Sequence, residues 1–202
     1  MGLKKGRGKA KSEATRKSLL AAAVKVIGSK GYGAATVDTI AEEAGVSKGV
    51  VYYYFKTKAD IATQVLREVL QNLLTRFEQD VKDAEGPYVA MTTIIRDFSE
   101  SIFDNKEAAR FVLNELWRRD RLWSDEMRDE EERLMSVIVG LLKEGIEEGN
   151  VRPDLDLEFT AAAVTGTVLM TAQYYLLRDE APDVSAFSDL CVDHIHHVVR
   201  PD

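Results

Sequence analysis

Apolar residues recur at helical spacing along most of this 202-residue chain. Leu20, Ala23 and Ile27, for example, stand at i, i+3 and i+7, which places their side chains on one face of a helix. No run of strict apolar–polar alternation between turn residues indicates a β-strand. The pattern therefore predicts an all-α fold. The prolines agree with it, because they stand only where the helical spacing has stopped, at Pro87, Pro153, Pro182 and Pro201.

Capping residues and glycines predict where the helices begin and end. Ser12 is the predicted N-cap of the first helix, which should end within Gly28–Gly33. Two short helices follow, the first capped by Thr36 and ended by Gly45, the second capped by Ser47. Longer helices are predicted over Ala59–Lys82, Tyr88–Phe103, Lys106–Arg119, Ser124–Gly145, Leu157–Leu177 and Ser185–Val199.

Composition and charge narrow the class of protein. Hydrophobic residues make up 45% of the chain and charged residues 30%, which is typical of a globular protein with an apolar core. The single cysteine, Cys191, excludes an internal disulfide and any cysteine-based metal centre within one chain. The first 17 residues hold no apolar segment of the kind that a secretory signal needs, so we expect a cytoplasmic protein.

Charge is distributed unevenly along the chain, whose net charge is −7. Residues 1–60 carry 12 basic and 5 acidic side chains, a net charge of +7, whereas the remaining 142 carry 15 basic and 29 acidic ones, a net charge of −14. A basic first third on an acidic remainder favours a polyanion-binding N-terminal module. A basic tail that only aids solubility is the alternative, because several of these cations lie in the first 11 residues.

The stretch from Thr36 to Phe55 predicts two short helices joined by a tight turn. Gly45 can adopt the positive φ that ends the first helix, and the small side chain of Ala44 allows the helices to cross closely. Such a pair is a helix-turn-helix, whose second helix is shaped to enter the major groove of DNA. The apolar residues that would form its core are Ile40, Val46, Val51 and Phe55.

The second helix of this pair carries outward residues suited to DNA. Ser47 and Lys48 stand at its N-terminus, where the helix dipole favours a phosphate, and Gly49 would allow the backbone to approach the duplex. Val50, Tyr53 and Tyr54 are candidates for base edges, and Tyr52 and Lys58 for phosphates, although one of the three tyrosines is expected to pack inward. The predicted DNA-binding residues are Thr36, Ser47, Lys48, Gly49, Val50, Tyr52, Tyr53, Tyr54 and Lys58.

This stretch strongly resembles the TetR family of bacterial transcription regulators over about residues 12–72. The family pattern is Thr-x-x-x-Ile-Ala-x-x-Ala-Gly-Val-Ser-x-Gly-x-x-Tyr-x-x-Phe-x-x-Lys. Tyr54 departs from the usual choice, since members often have His there, and this leaves the preferred operator sequence open. Every fixed position of the pattern is present: Thr36, Ile40, Ala41, Ala44, Gly45, Val46, Ser47, Gly49, Tyr52, Phe55 and Lys58.

The resemblance implies an all-helical homodimer with two domains. Residues 12–72 would form the three-helix DNA-binding domain and its linking helix, with the helix-turn-helix at 36–55, and residues 73–202 would bind a small-molecule effector and dimerise. The helices near 157–177 and 185–199 would pair with their symmetry mates. A repressor that leaves a palindromic operator DNA when a small, largely apolar ligand binds is the default function. A corepressor-dependent protein or an activator of the same fold is the alternative.

The segment from Phe159 to Leu177 contains 19 residues without a charge, which is long enough to raise the possibility of a transmembrane helix. Its five Thr and Gln residues, its many alanines and the acidic residues on either side favour a helix covered by a partner subunit, so we expect no membrane partner.

Aromatic and sulfur-containing side chains of the middle helices could line an apolar ligand pocket, although most should belong to the ordinary core. Trp117, Met170 and Tyr174 are the predicted pocket residues. The ligand class stays open: an anion would use arginines near Trp117, whereas a hydrophobic cation would use Glu115 or Asp97.

Other chemistry finds little support in the sequence. His194 and His197 share a helix face with no evident third ligand, so we expect no metal site, and His196 and Cys191 have no assigned role. No cofactor is expected. The glycine-rich segment Gly28–Gly33 follows a helix and lacks the closing residues of a phosphate-binding loop, and no hydrolase or metalloprotease motif occurs. We therefore expect no enzymatic activity; a helical-bundle enzyme or a membrane-surface protein would leave the Thr36–Lys58 pattern unexplained.

Overall fold

The computed structural model describes residues 3–116, 125–178 and 182–201, and within these ranges every regular element is an α-helix. The all-α prediction is confirmed. The elements are α1 (Leu3–Ala34), α2 (Val37–Glu43), α3 (Lys48–Tyr54), α4 (Lys58–Asp83), α5 (Pro87–Asp104), α6 (Lys106–Leu116), α7 (Asp125–Glu147), α8 (Leu157–Leu177) and α9 (Val184–Val199).

The described residues group into two compact units. The first consists of residues 3–68 with 107–116, and the second of residues 69–106 with 125–178 and 182–201. Helix α4 contributes residues to both. The core of the first unit comes from α1 to α4 and α6, and its fully buried side chains include Leu19, Ile27, Ile40, Val51, Ile61, Leu66 and Phe111.

Helix α1 begins earlier than its capping pattern predicts. It starts at Leu3, so Ser12 lies inside the helix and is not its N-cap. The Ser12 hydroxyl is instead 3.1 Å from the Tyr54 hydroxyl and forms a hydrogen bond with it. Near the other end, Gly31 has φ 79° and ψ 154°, which interrupts the helical path before Ala34. The predicted ending within Gly28–Gly33 therefore corresponds to a kink at Gly31.

Gly28 allows a close approach between α1 and α6. A β-carbon added at this residue would lie 2.3 Å from the backbone oxygen of Glu107 and 2.6 Å from its Cα. Neither atom can move away as the tip of a flexible side chain could. Gly28 is thus needed for helix packing within the first unit, in addition to any effect on where the helix ends.

The second unit is built around α5, which packs against α7, α8 and α9. Phe187 of α9 joins two of these helices, because its ring meets Phe103 of α5 and Tyr175 of α8 in edge-to-face contacts with centroid separations of 5.1 Å and 5.8 Å. Aspartate N-caps begin the last two helices: Asp156 accepts from the Phe159 N–H, and Asp183 accepts from two N–H groups of α9. None of the described helices is long and apolar enough to span a bilayer.

We expect Gly28→Ala to destabilise the protein by about 1–3 kcal/mol, because the added methyl group overpacks a backbone contact. Gly33→Ala is the matched control, since Gly33 is exposed, has no positive φ, and a β-carbon there would meet no described atom within 4 Å. Urea unfolding followed by circular dichroism measures both. Equal stability of the two variants would contradict the close contact between α1 and α6.

Candidate nucleic-acid interface

The turn between α2 and α3 is a Schellman motif. Gly45 has φ 67°, and its N–H donates to the Glu42 carbonyl at 3.1 Å. The Val46 N–H donates back to the Ala41 carbonyl at 3.0 Å, which completes the two-bond pattern of this motif. The prediction that Gly45 ends α2 with a positive φ is confirmed. This closure fixes the direction in which the chain leaves α2 and enters α3.

A reciprocal capping box begins α2. The Thr36 hydroxyl accepts from the Thr39 N–H at 3.1 Å, while the Thr39 hydroxyl accepts from the Thr36 N–H at 3.0 Å. The N-cap predicted at Thr36 is confirmed, and its side chain is exposed. Ser47 is the N-cap of α3 by backbone geometry, but its hydroxyl makes no capping hydrogen bond.

Burial divides α3 into an inner and an outer face. Val51 is fully buried and Phe55, just after the helix, is 5% exposed. Tyr52 and Tyr53 are 49% and 80% exposed. Their neighbouring exposed rings form an apolar patch, and contiguous patches of this kind often mark a binding surface. The other predicted contacts near the start of this helix are exposed, except for half-buried Val50: Ser47, Lys48, Gly49 and Val50.

Tyr54 is the tyrosine that packs inward. Its side chain is half-buried, its hydroxyl pairs with Ser12, and its ring meets Tyr53 edge-to-face at 5.1 Å. The expectation that one of the three tyrosines faces inward agrees with this placement. A base contact by Tyr54 stays a prediction, and its hydrogen bond to α1 gives it a structural role as well.

Lys48 is held by a carboxylate. Its ammonium donates to Asp38 Oδ2 at 2.8 Å, across the first turns of α3 and α2. The hydrogen bond to Asp38 raises the pKa of Lys48 above its ordinary value. A cation thus stands at the N-terminus of α3, as the phosphate-contact prediction requires, but with an acidic neighbour that the prediction did not include.

Lys58 lies within the fold. Its ammonium donates to the backbone carbonyls of Tyr32 at 2.7 Å and Ala35 at 2.8 Å, and it lies 4.3 Å from the centre of the Tyr32 ring. These bonds satisfy one carbonyl in the last turn of α1 and one just after the helix, where helical partners are lacking. The structure thus places Lys58 at the C-terminus of α1, and the phosphate contact assigned to it stays a prediction.

Gly49 faces open space. A β-carbon at this position would meet only Ser47 Oγ, at 3.8 Å, among the described atoms, and its φ is not positive. Nothing inside the described protein therefore requires glycine here. An external partner that approaches the backbone of α3 would require it, and this is the role that the sequence predicts.

Two residues of this surface were missed at the level of sequence. Asp38 is one, because its exposed position in α2 gave no sign that it pairs with a lysine ten residues later. Lys56 is the other: its side chain is exposed in the turn before α4, and its backbone N–H donates to Asp60 Oδ2 at 3.0 Å. The sequence did contain a signal for Lys56: it is a basic residue between α3 and Lys58, the last fixed position of the family pattern.

Two of the three predicted ligand residues, Met170 and Tyr174, lie within the described part of the chain. Trp117 lies outside the described residues. Met170 and Tyr174 are 51% and 52% exposed on one face of α8. Their role as pocket residues stays a prediction, and their exposure in the single chain favours a surface that meets another molecule.

A cavity of about 200 Å³ lies elsewhere in the second unit, between the beginning of α5 and the ends of α7 and α9. The His196 ring stacks on Tyr88 with centroids 4.1 Å apart, and burial lowers the pKa of His196, which favours the neutral imidazole. His197 interacts with Asp193, and the described residues hold no group of three or more metal-ligating side chains. Other residues that line the cavity are Met91, Leu142, Gly145, Asn150 and Val199.

The fold and this surface define a class: helix-turn-helix proteins whose second helix presents an exposed face to DNA. Comparison with known proteins gives the family. Residues 19–65 match the family described as "Bacterial regulatory proteins, tetR family". The transcriptional repressor KstR2 of Mycolicibacterium smegmatis is 30% identical over 164 residues, which cover 79% of this chain and 78% of the repressor. The chain belongs to the tetR family and is a DNA-binding transcriptional regulator.

Two further comparisons cover most of the chain. The fatty acid metabolism regulator protein of Bacillus subtilis is 27% identical over 183 residues, with 89% of this chain and 94% of that protein aligned. The crystal structure of the Bacillus subtilis regulator FadR with stearoyl-CoA superposes with a TM-score of 0.80 at 25% identity, and covers 89% of this chain and 96% of that one. The similarity therefore extends well beyond the DNA-binding helices.

We expect Lys58→Met to lower the free energy of unfolding by about 1–3 kcal/mol, because the carbonyls of Tyr32 and Ala35 lose a charged donor. Lys56→Met is the control, since it removes the same charge from an exposed position and should change stability by less than about 0.5 kcal/mol. Denaturant unfolding of both variants measures the difference. Similar stability losses would show that the bonds of Lys58 contribute nothing specific.

Proposed function

We propose that this regulator is a homodimeric repressor that places α3 of each subunit in the major groove of a palindromic operator. The observation that carries the proposal is the division of α3 into a buried face, Val51 and Phe55, and an open face with Tyr52 and Tyr53. Half-sites about 34–36 Å apart, one turn of DNA, would accommodate two such helices. The similarity to KstR2, which is named a repressor, supports the direction of regulation.

The contacts divide into phosphate contacts and base contacts. Thr36, Ser47 and Lys48 stand at the beginnings of α2 and α3, where they suit phosphates. Gly49 would allow the backbone of α3 to approach the duplex closely, and Tyr52 would contact a DNA phosphate. Val50, Tyr53 and Tyr54 are the proposed base-reading residues. Lys58 is proposed to act mainly by holding the end of α1, because its ammonium already has two carbonyl partners.

The dimer would form through α8 and α9. Large apolar side chains of α8 that are exposed in the single chain share one face at helical spacing, whereas Val164 and Val168 are buried on the opposite face. Single chains rarely leave such a surface open unless it binds a partner. Helix α9 adds two exposed apolar side chains. The face on both helices consists of Phe159, Met170, Tyr174, Leu177, Leu190 and Val198.

The proposed effector is a molecule with a long apolar chain, such as an acyl-CoA thioester. The support is the 25%-identical FadR structure with stearoyl-CoA, which matches 89% of this chain. The ligand would bind better to the state in which the two recognition helices cannot span the operator, and helix α4, shared by both units, would transmit the change. By linkage, operator DNA then weakens ligand binding by the same factor.

Activation is a second candidate function. The transcriptional activator FasR of Mycolicibacterium smegmatis is 24% identical over 170 residues, which cover 83% of this chain and 75% of FasR. A ligand-dependent activator would use the same α3 surface and the same dimer.

Selection of bound sequences from random duplex DNA at about 150 mM salt tests the proposal, because this salt suppresses non-specific phosphate binding. A palindrome with half-sites one helical turn apart is the expected product. Stearoyl-CoA, stearate and free CoA are then added separately to the operator complex. Release by stearoyl-CoA supports the effector class and repression; tighter binding favours a corepressor, and no response to any of the three excludes this effector class.

Gly49→Ala should weaken operator binding by about tenfold or more while the protein stays equally stable or becomes more stable. The methyl group has room within the protein but would lie between α3 and the duplex, and alanine favours a helix over glycine by up to about 1 kcal/mol. Operator titration by fluorescence anisotropy and thermal unfolding give the two quantities. Unchanged affinity would place the DNA away from this turn of α3.

The double variant Met170→Glu with Leu177→Glu should shift the protein from dimer to monomer, because charges would be buried in the proposed interface. Val89→Glu is the control, since Val89 of α5 is 45% exposed and lies outside the face. Light scattering after size-exclusion chromatography measures the mass, and circular dichroism checks the helical content. A double variant that stays dimeric would exclude this face as the interface.

A further inference from the structure

Asp38 and Lys48 join the beginnings of the two helices of the helix-turn-helix. The Lys48 ammonium lies 2.8 Å from Asp38 Oδ2, and the two side chains are 51% and 65% exposed. Asp38 stands in the first turn of α2 and Lys48 is the first residue of α3. The pair therefore lies on the surface from which this protein would contact DNA phosphates.

We propose that Asp38 is a competitor built into the DNA interface: its carboxylate binds the Lys48 ammonium in the free protein in the place that a DNA phosphate takes in the complex. The proposal rests on the DNA contact assigned to Lys48 in the proposed function. It makes Asp38 a residue that sets the affinity of the regulator for the DNA backbone, although its charge alone would suggest that it has no part in binding DNA.

The chemistry of the three groups supports the exchange. Carboxylate and phosphate oxygens both accept charge-assisted hydrogen bonds from a lysine ammonium. A phosphate that reaches Lys48 comes close to the Asp38 carboxylate, and the two negative charges repel each other. The ion pair is exposed, so its own stabilisation is small and DNA can displace it. DNA binding at this point therefore exchanges one anion for another, which lowers the contribution of Lys48 to the free energy of DNA binding.

A second ion pair on α2 provides a matched control. Glu43 accepts from the Lys25 ammonium of α1 at 2.6 Å, and this hydrogen bond likewise raises the pKa of its lysine. Lys25 is not among the proposed DNA contacts. Glu43→Gln and Asp38→Asn therefore remove the same charge from the same helix, and each leaves a lysine without its carboxylate partner. They differ in whether that lysine is proposed to contact DNA.

The test measures binding of the full-length protein to a 30-base-pair duplex of mixed sequence and to the selected palindrome, at several salt concentrations. Asp38→Asn should raise the affinity for both by about threefold to fivefold at low salt, the range of one exposed ion pair. The plot of log affinity against log salt should steepen by up to about 0.9. Glu43→Gln should have a smaller effect. Circular dichroism and thermal unfolding of each variant verify the fold.

The same substitutions in a Lys48→Gln background distinguish failure of the proposed Lys48 contact from failure of the proposed competition. There, Asp38→Asn should add no more affinity than Glu43→Gln does, because the lysine for which it competes is gone. If Lys48→Gln alone leaves DNA binding unchanged, the proposed contact at Lys48 is wrong and the competition fails with it. If Lys48→Gln weakens binding but Asp38→Asn matches Glu43→Gln, only the competition is wrong. Weaker binding by Asp38→Asn alone would show that Asp38 positions Lys48 for DNA, and would overturn the proposal.

Discussion

The burial of Val51 and Phe55 is the interaction on which the DNA-binding surface depends. Helix α3 has only seven residues, fewer than an isolated helix needs to be stable in water. It persists because these side chains are anchored in the core of the first unit. The same burial decides which residues point outward: with Val51 inside, the exposed face must carry Tyr52 and Tyr53. The orientation that buries these apolar side chains thus also sets which residues α3 exposes.

Two lysines ten residues apart show how the environment separates residues of one type. The Lys48 ammonium is exposed and paired with an exposed carboxylate. The Lys58 ammonium is bonded to two carbonyls and lies near an aromatic ring, so its loss would leave backbone acceptors without a partner. Both belong to one short segment rich in cations, yet only Lys48 is presented to solvent at the start of α3.

Local signals predicted much of the fold and part of the interface. Three features depend only on neighbouring residues and could therefore be predicted from the sequence. They are the cap at Thr36, the positive φ of Gly45 and the bounds of α8. The predicted start of α1 was wrong. Ser12 is a residue type that often caps helices, but the helix extends past it to Leu3. Contacts made through the fold were not predictable in the same way: the partner of Lys48 depends on how α2 and α3 cross. The sequence also did not show which side of α8 is exposed, because no charged residue marks one side of this helix between Phe159 and Leu177.

The direct backbone contact at Gly28 limits how closely α1 and α6 can approach each other. Most helix pairs touch through side chains, whose rotamers can adjust when one helix shifts by a fraction of an ångström. Here the backbone of α1 meets the backbone of Glu107 with no side chain between them. Rigid atoms on both sides make this contact stiff, so the first turn of α6 cannot press further toward α1 without displacing it. The spacing of α1 and α6 at Gly28 is therefore set by backbone atoms and not by side-chain rotamers.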